Sequence, residues 1–233
     1  MEANMKLLTV GDAKTVKGQK KGFLTGILYL APADESGVLN VCPFSSAGCR
    51  ASCLYTAGRS QVFPMINLAR IEKTKWLKRD HVSFYTQIAK DITALVARAE
   101  RENLIPCVRL NGTSDLPKMP HYFCELFPAV QFYDYTKIPK PWERARKNYH
   151  LTFSLSEDNH KHAMAALHHG INVAVVFDSK RIPPMWEGFK VVNGDESDLR
   201  FLDKKRKAVV IGLYAKGRAK KDTSGFVQLS LPA

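Results

Sequence analysis

The chain has 233 residues, 45% of them hydrophobic, and a formal net charge of +13 from 35 basic against 22 acidic residues. That length and apolar content suit a single α/β domain over 1–233 with one sizeable core, and the lack of any run of about 18 apolar residues argues against a membrane span. An odd number of cysteines and a basic segment over 1–22 without an apolar signal core argue against a disulfide framework and against export, so the protein is expected in the cytoplasm with reduced thiols.

The first apolar run, FLTGILYL from Phe23, reads as a buried strand. The loop after it, over 41–60, contains VCPFSSAGCRASCLYTAGR and places Cys42, Cys49 and Cys53 in one short segment. Cys49 and Cys53 are four residues apart, so one helical turn would set both sulfurs on one face. Tyr85, Ile88, Ile92, Leu95, Val96 and Ala99 then recur at helical spacing. Further runs begin at Cys107 (CVRLNGTSD), Val130 (VQFYDYTK), His150 (HLTFSLSE), Asn172 (NVAVVFDS), Phe189 (FKVVNGDESD) and Ala208 (AVVIGLYAKG). Their β-branched and aromatic content fits strands buried on both faces of a parallel sheet. Short helices are expected over 122–127 and 158–169, the second ended by Gly170.

Strands alternating with helices imply βαβ units. The expected fold is an incomplete TIM-like (β/α) barrel of six to seven mostly parallel strands, with a doubly wound open sheet as the alternative. Ligands of such folds sit at the carboxyl ends of the strands. Those ends supply Asn111, Thr113, Ser114 and Asp115, then Asp134, Thr136 and Lys137, then Ser154, Ser156 and Glu157, and finally Asp178, Asn193, Asp195, Asp198 and Lys216. Asp115, Asp134, Lys137 and Glu157 are the candidate proton-moving groups, because burial can tune carboxylates and lysines toward neutral pH. Asn111, Ser114 and Ser154 are candidate ligand-binding groups beside them.

Three clustered thiolates suit soft metals. Zinc would need a second arm, from Cys107, Cys124 or one of the histidines His121, His160, His162, His168 and His169, whose spacing is poor for co-ligands. A [4Fe–4S] cluster on Cys42, Cys49 and Cys53 is the better match, its fourth iron bound by Cys107, solvent or substrate. Arg50 and Arg59 would offset its negative charge, and Tyr55 and Thr56 would tune it through hydrogen bonds. A three-cysteine loop after the first strand resembles the layout of radical S-adenosylmethionine enzymes. Those enzymes typically carry C-x3-C-x2-C where this chain has C-x6-C-x3-C, and NGTSD stands where their glycine-rich acidic motif would be. S-adenosylmethionine is therefore a secondary expectation, with Asn111, Gly112 and Asp115 in comparable positions.

Taken together, CPFSSAGCRASCLYTAGR, VRLNGTSDLP, QFYDYTKIP, YHLTFSLSE, NVAVVFD, DLRFLD and AKGRAKKDTSGF resemble the bacteriophage gene-product-eighty-eight family, from about Thr25 to Phe226. The resemblance implies a phage-encoded protein in a bacterial cytoplasm, with Cys42, Cys49 and Cys53 matching the family's cysteines one for one.

The leading expectation is an iron–sulfur protein, a redox or radical-type oxidoreductase with a small-molecule substrate or an electron donor as partner. Basic residues gather over 14–21, 137–147, 204–207 and 216–221, so a nucleic-acid-binding protein with a structural metal is an alternative. A carboxylate-metal hydrolase using Asp115, Asp134, Asp178 and Asp195 is another.

Overall fold

The computed structural model describes residues 5–203 and 207–230. In chain order these form β1 (Leu8–Thr9), α1 (Ala13–Gln19), β2 (Phe23–Leu28), α2 (Ala47–Ala51), α3 (Arg59–Val62), α4 (Pro64–Arg79), α5 (His81–Arg101), β3 (Ile105–Arg109), α6 (Lys118–Leu126), β4 (Gln131–Thr136), β5 (Tyr149–Ser154), α7 (His160–His168), β6 (Val173–Phe177), β7 (Met185–Trp186), β8 (Phe189–Asn193) and β9 (Val210–Tyr214). All seven apolar runs are strands. The two additional strands, β1 and β7, have two residues each, too few to show a period. The fold is mixed α/β with mostly parallel strands. No helix among the described residues is long and apolar enough to cross a membrane.

Contacts divide the chain into two compact units, the first over 5–43, 65–134 and 146–150, the second over 44–64, 135–145 and 151–230 as far as described. In the first, β2 pairs parallel with β3, and β3 with β4. The helix α5 lies on this sheet because Phe84, Ile88, Ile92, Leu95 and Ala99 recur three and four residues apart and are all buried. Asp80 caps it, its side chain accepting from Ser83 N at 3.0 Å. β1 runs antiparallel to β2, and side chains help hold it. Asp91 Oδ2 accepts from Leu7 N at 2.6 Å and Leu8 N at 3.0 Å, and Lys73 Nζ donates to Leu7 O at 2.9 Å. Burial lowers the Lys73 ammonium to about 8, with Asp91 opposing the shift.

In the second unit β5, β6, β9 and β8 pair parallel in that order, and β7 closes back antiparallel on β8. The core is Phe153, Leu155, Ala163, Ala166, Leu167, Val173, Val175, Phe177, Val191 and Val210. The helix α7 contributes the small face Ala163, Ala166 and Leu167. It ends as expected at Gly170, whose φ of +79° a side chain would resist.

Candidate functional site

The segment carrying Cys49 and Cys53 belongs to the second unit, and side chains from distant positions fix its shape. Ser46 begins α2 with its hydroxyl accepting from Cys49 N at 3.1 Å, and the same hydroxyl donates to Glu157 Oε2 at 2.8 Å. Glu157 Oε1 accepts from Gly48 N at 2.6 Å. One carboxylate therefore serves both the first turn's backbone and its capping side chain, favourable at a helix N-terminus. At the other end Ser52 Oγ donates to Asp222 Oδ1 at 3.2 Å. Asp222 also accepts from Ser224 Oγ at 2.7 Å and Val227 N at 3.0 Å. Gly48 is required by closeness: a Cβ there would fall inside the van der Waals shell of Ser224 Oγ and lie 2.8 Å from Glu157 Cδ.

Cys42 belongs to the first unit. Its N–H donates to Asn40 Oδ1 at 2.8 Å, and its thiol donates to Thr113 O at 3.6 Å. Asp115 N donates to Val41 O at 2.8 Å, so 111–115 and 41–42 run side by side. A buried network shapes that loop. Asn111 Oδ1 accepts from Ser114 Oγ at 2.8 Å and Leu116 N at 2.9 Å. Asp134 Oδ1 accepts from Asn111 N at 2.8 Å, and Oδ2 from Tyr149 Oη at 3.2 Å and Asn111 Nδ2 at 3.3 Å. Arg109 Nε stands 3.9 Å from Asp134 Oδ1. Burial pushes the Asp134 carboxyl up to about 7, against Arg109 and the donated hydrogen bonds. Burial, then Asp134, raises the Tyr149 phenol well above its ordinary value.

Asn111, Ser114 and Asp134 are thus brought together, with Asp134 at 1% exposure inside the unit and not on an open rim. Lys137 Nζ donates to Ser154 Oγ at 3.0 Å and stands 5.8 Å from the Phe226 ring centroid. Arg59 is exposed, its guanidinium 5.7 Å from the Phe63 ring centroid. Asp195 accepts from Tyr214 N at 3.1 Å and pairs with Lys216. Asp178 accepts from Ser230 N at 2.9 Å and from the Ser230 hydroxyl.

All five thiols are free of disulfides. Cys107 is fully buried in β3, its sulfur 3.2 Å from Thr25 Oγ1. Burial drives the Cys124 thiol up to about 12, so both behave as core residues. Cys42, Cys49 and Cys53 are half-buried. Among the described residues no three His, Cys, Asp or Glu side chains are gathered as a metal ion requires. Histidines of α7 and of its C-cap pack on aromatics: His169 stacks on Trp142 at 3.9 Å, His168 meets Phe189 edge-on at 5.6 Å, and His160 meets Trp186 at 5.7 Å. The Thr56 side chain and residues 204–206 of one basic cluster lie outside the described residues.

Sequence reasoning overlooked Asp222, Ser224, Arg109 and Tyr149. The string DTSG at 222–225 is a turn signal, but nothing local shows that the turn holds a helix some 170 residues earlier. A family model described as Gene product 88 matches residues 5–229. Neither a curated protein nor a solved structure matches the chain.

Proposed function

From the premise that this chain belongs to the Gene product 88 family, we propose that it is an iron–sulfur protein working in a bacterial cytoplasm, binding a [4Fe–4S] cluster through Cys42, Cys49 and Cys53. The observation that carries this is the contrast among the five cysteines, none in a disulfide: these three are partly accessible on one polar segment, while Cys107 and Cys124 are buried in the core. Soft, accessible thiolates from one stretch of chain are the donor set such clusters take. The thiols need no prior gathering, because metal binding is commonly coupled to local folding. The finer fold reading, a partial (β/α) barrel with this segment at its mouth, belongs to the same proposal.

The chain's own residues have separable roles. Glu157 and Asp222 fix the two ends of α2 and so the direction of Cys49. Arg50 and Arg59 place positive charge on the segment, which would offset the negative charge of a bound cluster. Asn111 and Asp134 shape the loop whose carbonyl at Thr113 accepts from Cys42. Asp134, tuned to about 7, is suited to hold or release a proton at neutral pH. Lys137 and Ser154 offer a cation and a hydroxyl to a small-molecule substrate. A bound cluster would supply one-electron redox chemistry, with S-adenosylmethionine a secondary cosubstrate.

Anaerobic reconstitution with iron and sulfide tests this. Equal iron and acid-labile sulfide, visible thiolate-to-iron charge-transfer absorption and a paramagnetic signal on reduction are expected. All should be lost when Cys49 or Cys53 is replaced by Ser. Stoichiometric zinc, or no metal, would overturn it.

A further inference from the structure

The second unit joins two stretches that are far apart in sequence. Asp222 receives the Ser52 hydroxyl, and the turn at Ser224 packs against Gly48. The basic turn at Gly217–Lys221, immediately before Asp222, is therefore set against the segment that carries Cys49 and Cys53. Arg218, Lys220 and Lys221 are exposed on that turn, and Arg50 and Arg59 are exposed on the segment. Residues 44–63 and 216–221 contain no Asp or Glu. Two acids that reach these stretches are already engaged, Asp222 by three donors and Glu157 by Ser46 Oγ and Gly48 N. The same segment exposes large apolar side chains: Phe44 at 48%, Leu54 at 51% and Phe63 at 50%.

We infer that this face of the second unit binds single-stranded nucleic acid. Five exposed cations on two stretches that contain no acid attract a phosphate backbone. Exposed rings amid the charge are what distinguish a single strand from other polyanions, because unpaired bases stack on aromatic faces. A duplex hides those faces, and an acidic polypeptide such as polyglutamate carries no aromatic ring to stack on them. Arg59 beside Phe63 extends the platform with a guanidinium plane. Binding of this kind needs no metal and stands independently of the iron–sulfur reading. It would also place the strand beside Cys49 and Cys53, making nucleic acid the substrate class if a cluster is held there.

Fluorescence anisotropy of the full chain with a labelled oligothymidylate of about 16 nucleotides, over a range of sodium chloride concentrations, tests it. Two variants separate the contributions: Arg218→Ser/Lys220→Ser/Lys221→Ser, and Phe44→Ala/Phe63→Ala, both at exposed positions and both checked by circular dichroism. The charge variant should reduce the slope of log K against log salt by about 2, three phosphates at roughly 0.7 each. The aromatic variant should weaken binding by at least about fivefold per ring with the slope unchanged. No binding by the wild-type chain would overturn the inference. So would binding unchanged in both variants, a matched duplex bound as tightly as the single strand, or polyglutamate competing as well as oligothymidylate.

Discussion

Gly48→Ala is the sharpest single perturbation, because alanine is ordinarily the better helix residue. In α2 the exchange should gain about 1 kcal/mol of propensity. Against this, the new methyl collides with Ser224 Oγ and stands 2.8 Å from both Glu157 Cδ and Oε1. Relieving it displaces Glu157, which accepts from Gly48 N at 2.6 Å and Ser46 Oγ at 2.8 Å. Each of those bonds to a charged acceptor contributes about 1.5–3 kcal/mol when intact, and overpacking costs about 1–3 kcal/mol. Since Glu157 is only half-buried, the lower ends apply, leaving a net loss of about 3 kcal/mol. For a chain of this size that lowers Tm by about 6–12 °C. Urea titration followed by tryptophan fluorescence is a suitable assay, because Trp142 and Trp186 lie in the second unit with Gly48. Adding Ser224→Ala removes the nearest collision and should restore part of the loss, with a coupling of about 1 kcal/mol. A Gly48→Ala protein as stable as wild type, or more so, would refute the close approach and the role of Glu157 in holding α2.

Three other outcomes follow from the same geometry. A thiol-specific disulfide reagent should label Cys42, Cys49 and Cys53 quickly in the native metal-free chain and reach Cys107 and Cys124 only on unfolding; five fast thiols would contradict the burial of the latter two. The folded Asp134 carboxyl titrates near 7 against an ordinary 3.8, so the native state holds a proton that the unfolded chain has released. Stability from this group therefore falls as pH rises from about 4 to about 7, by at most about 1.4 kcal/mol per unit, and Asp134→Asn should flatten that slope; an unchanged pH profile in urea titrations would count against it. Asp222→Ala should destabilise the second unit by about 1–3 kcal/mol through the stranded donors of Ser52, Ser224 and Val227, and should raise proteolytic cleavage within 44–58. Wild-type resistance there would remove Asp222 as an anchor.

The strands were legible because their residues are buried along nearly their whole length, as in Leu24–Leu28 and Val173–Phe177, which leaves continuous apolar runs. The helix α5 was legible through its stripe, although it starts at His81, before the first periodic residue. In contrast α4 buries only Thr74, Trp76 and Leu77, too few to write a stripe, so it merged with its neighbour. The apolar pattern places the short helices two to four residues off: α6 starts at Lys118 and α7 at His160, and neither is opened by a side-chain capping bond that would mark its boundary. At the candidate site the cysteines stood out by spacing. The partners of Glu157 did not, since Gly48 and Ser46 lie more than a hundred residues away. Asp134 stands out in the sequence as a tunable acid, and its burial supplies the upward shift that Arg109 and the Tyr149 hydroxyl oppose.

The pairing of β1 with β2 has a consequence for the protein in concentrated solution. Unprotected, the outer edge of Phe23–Leu28 would present a row of unpaired N–H and C=O groups flanked by large apolar side chains, a template on which another copy could add a strand. Among the described residues the two of β1 pair with it, with Leu8 packed over Gly26 and fastened through Asp91 and Lys73. Those few contacts act as a guard against self-association, and a chain cut after Thr9 should precipitate although every residue of the candidate site is still present.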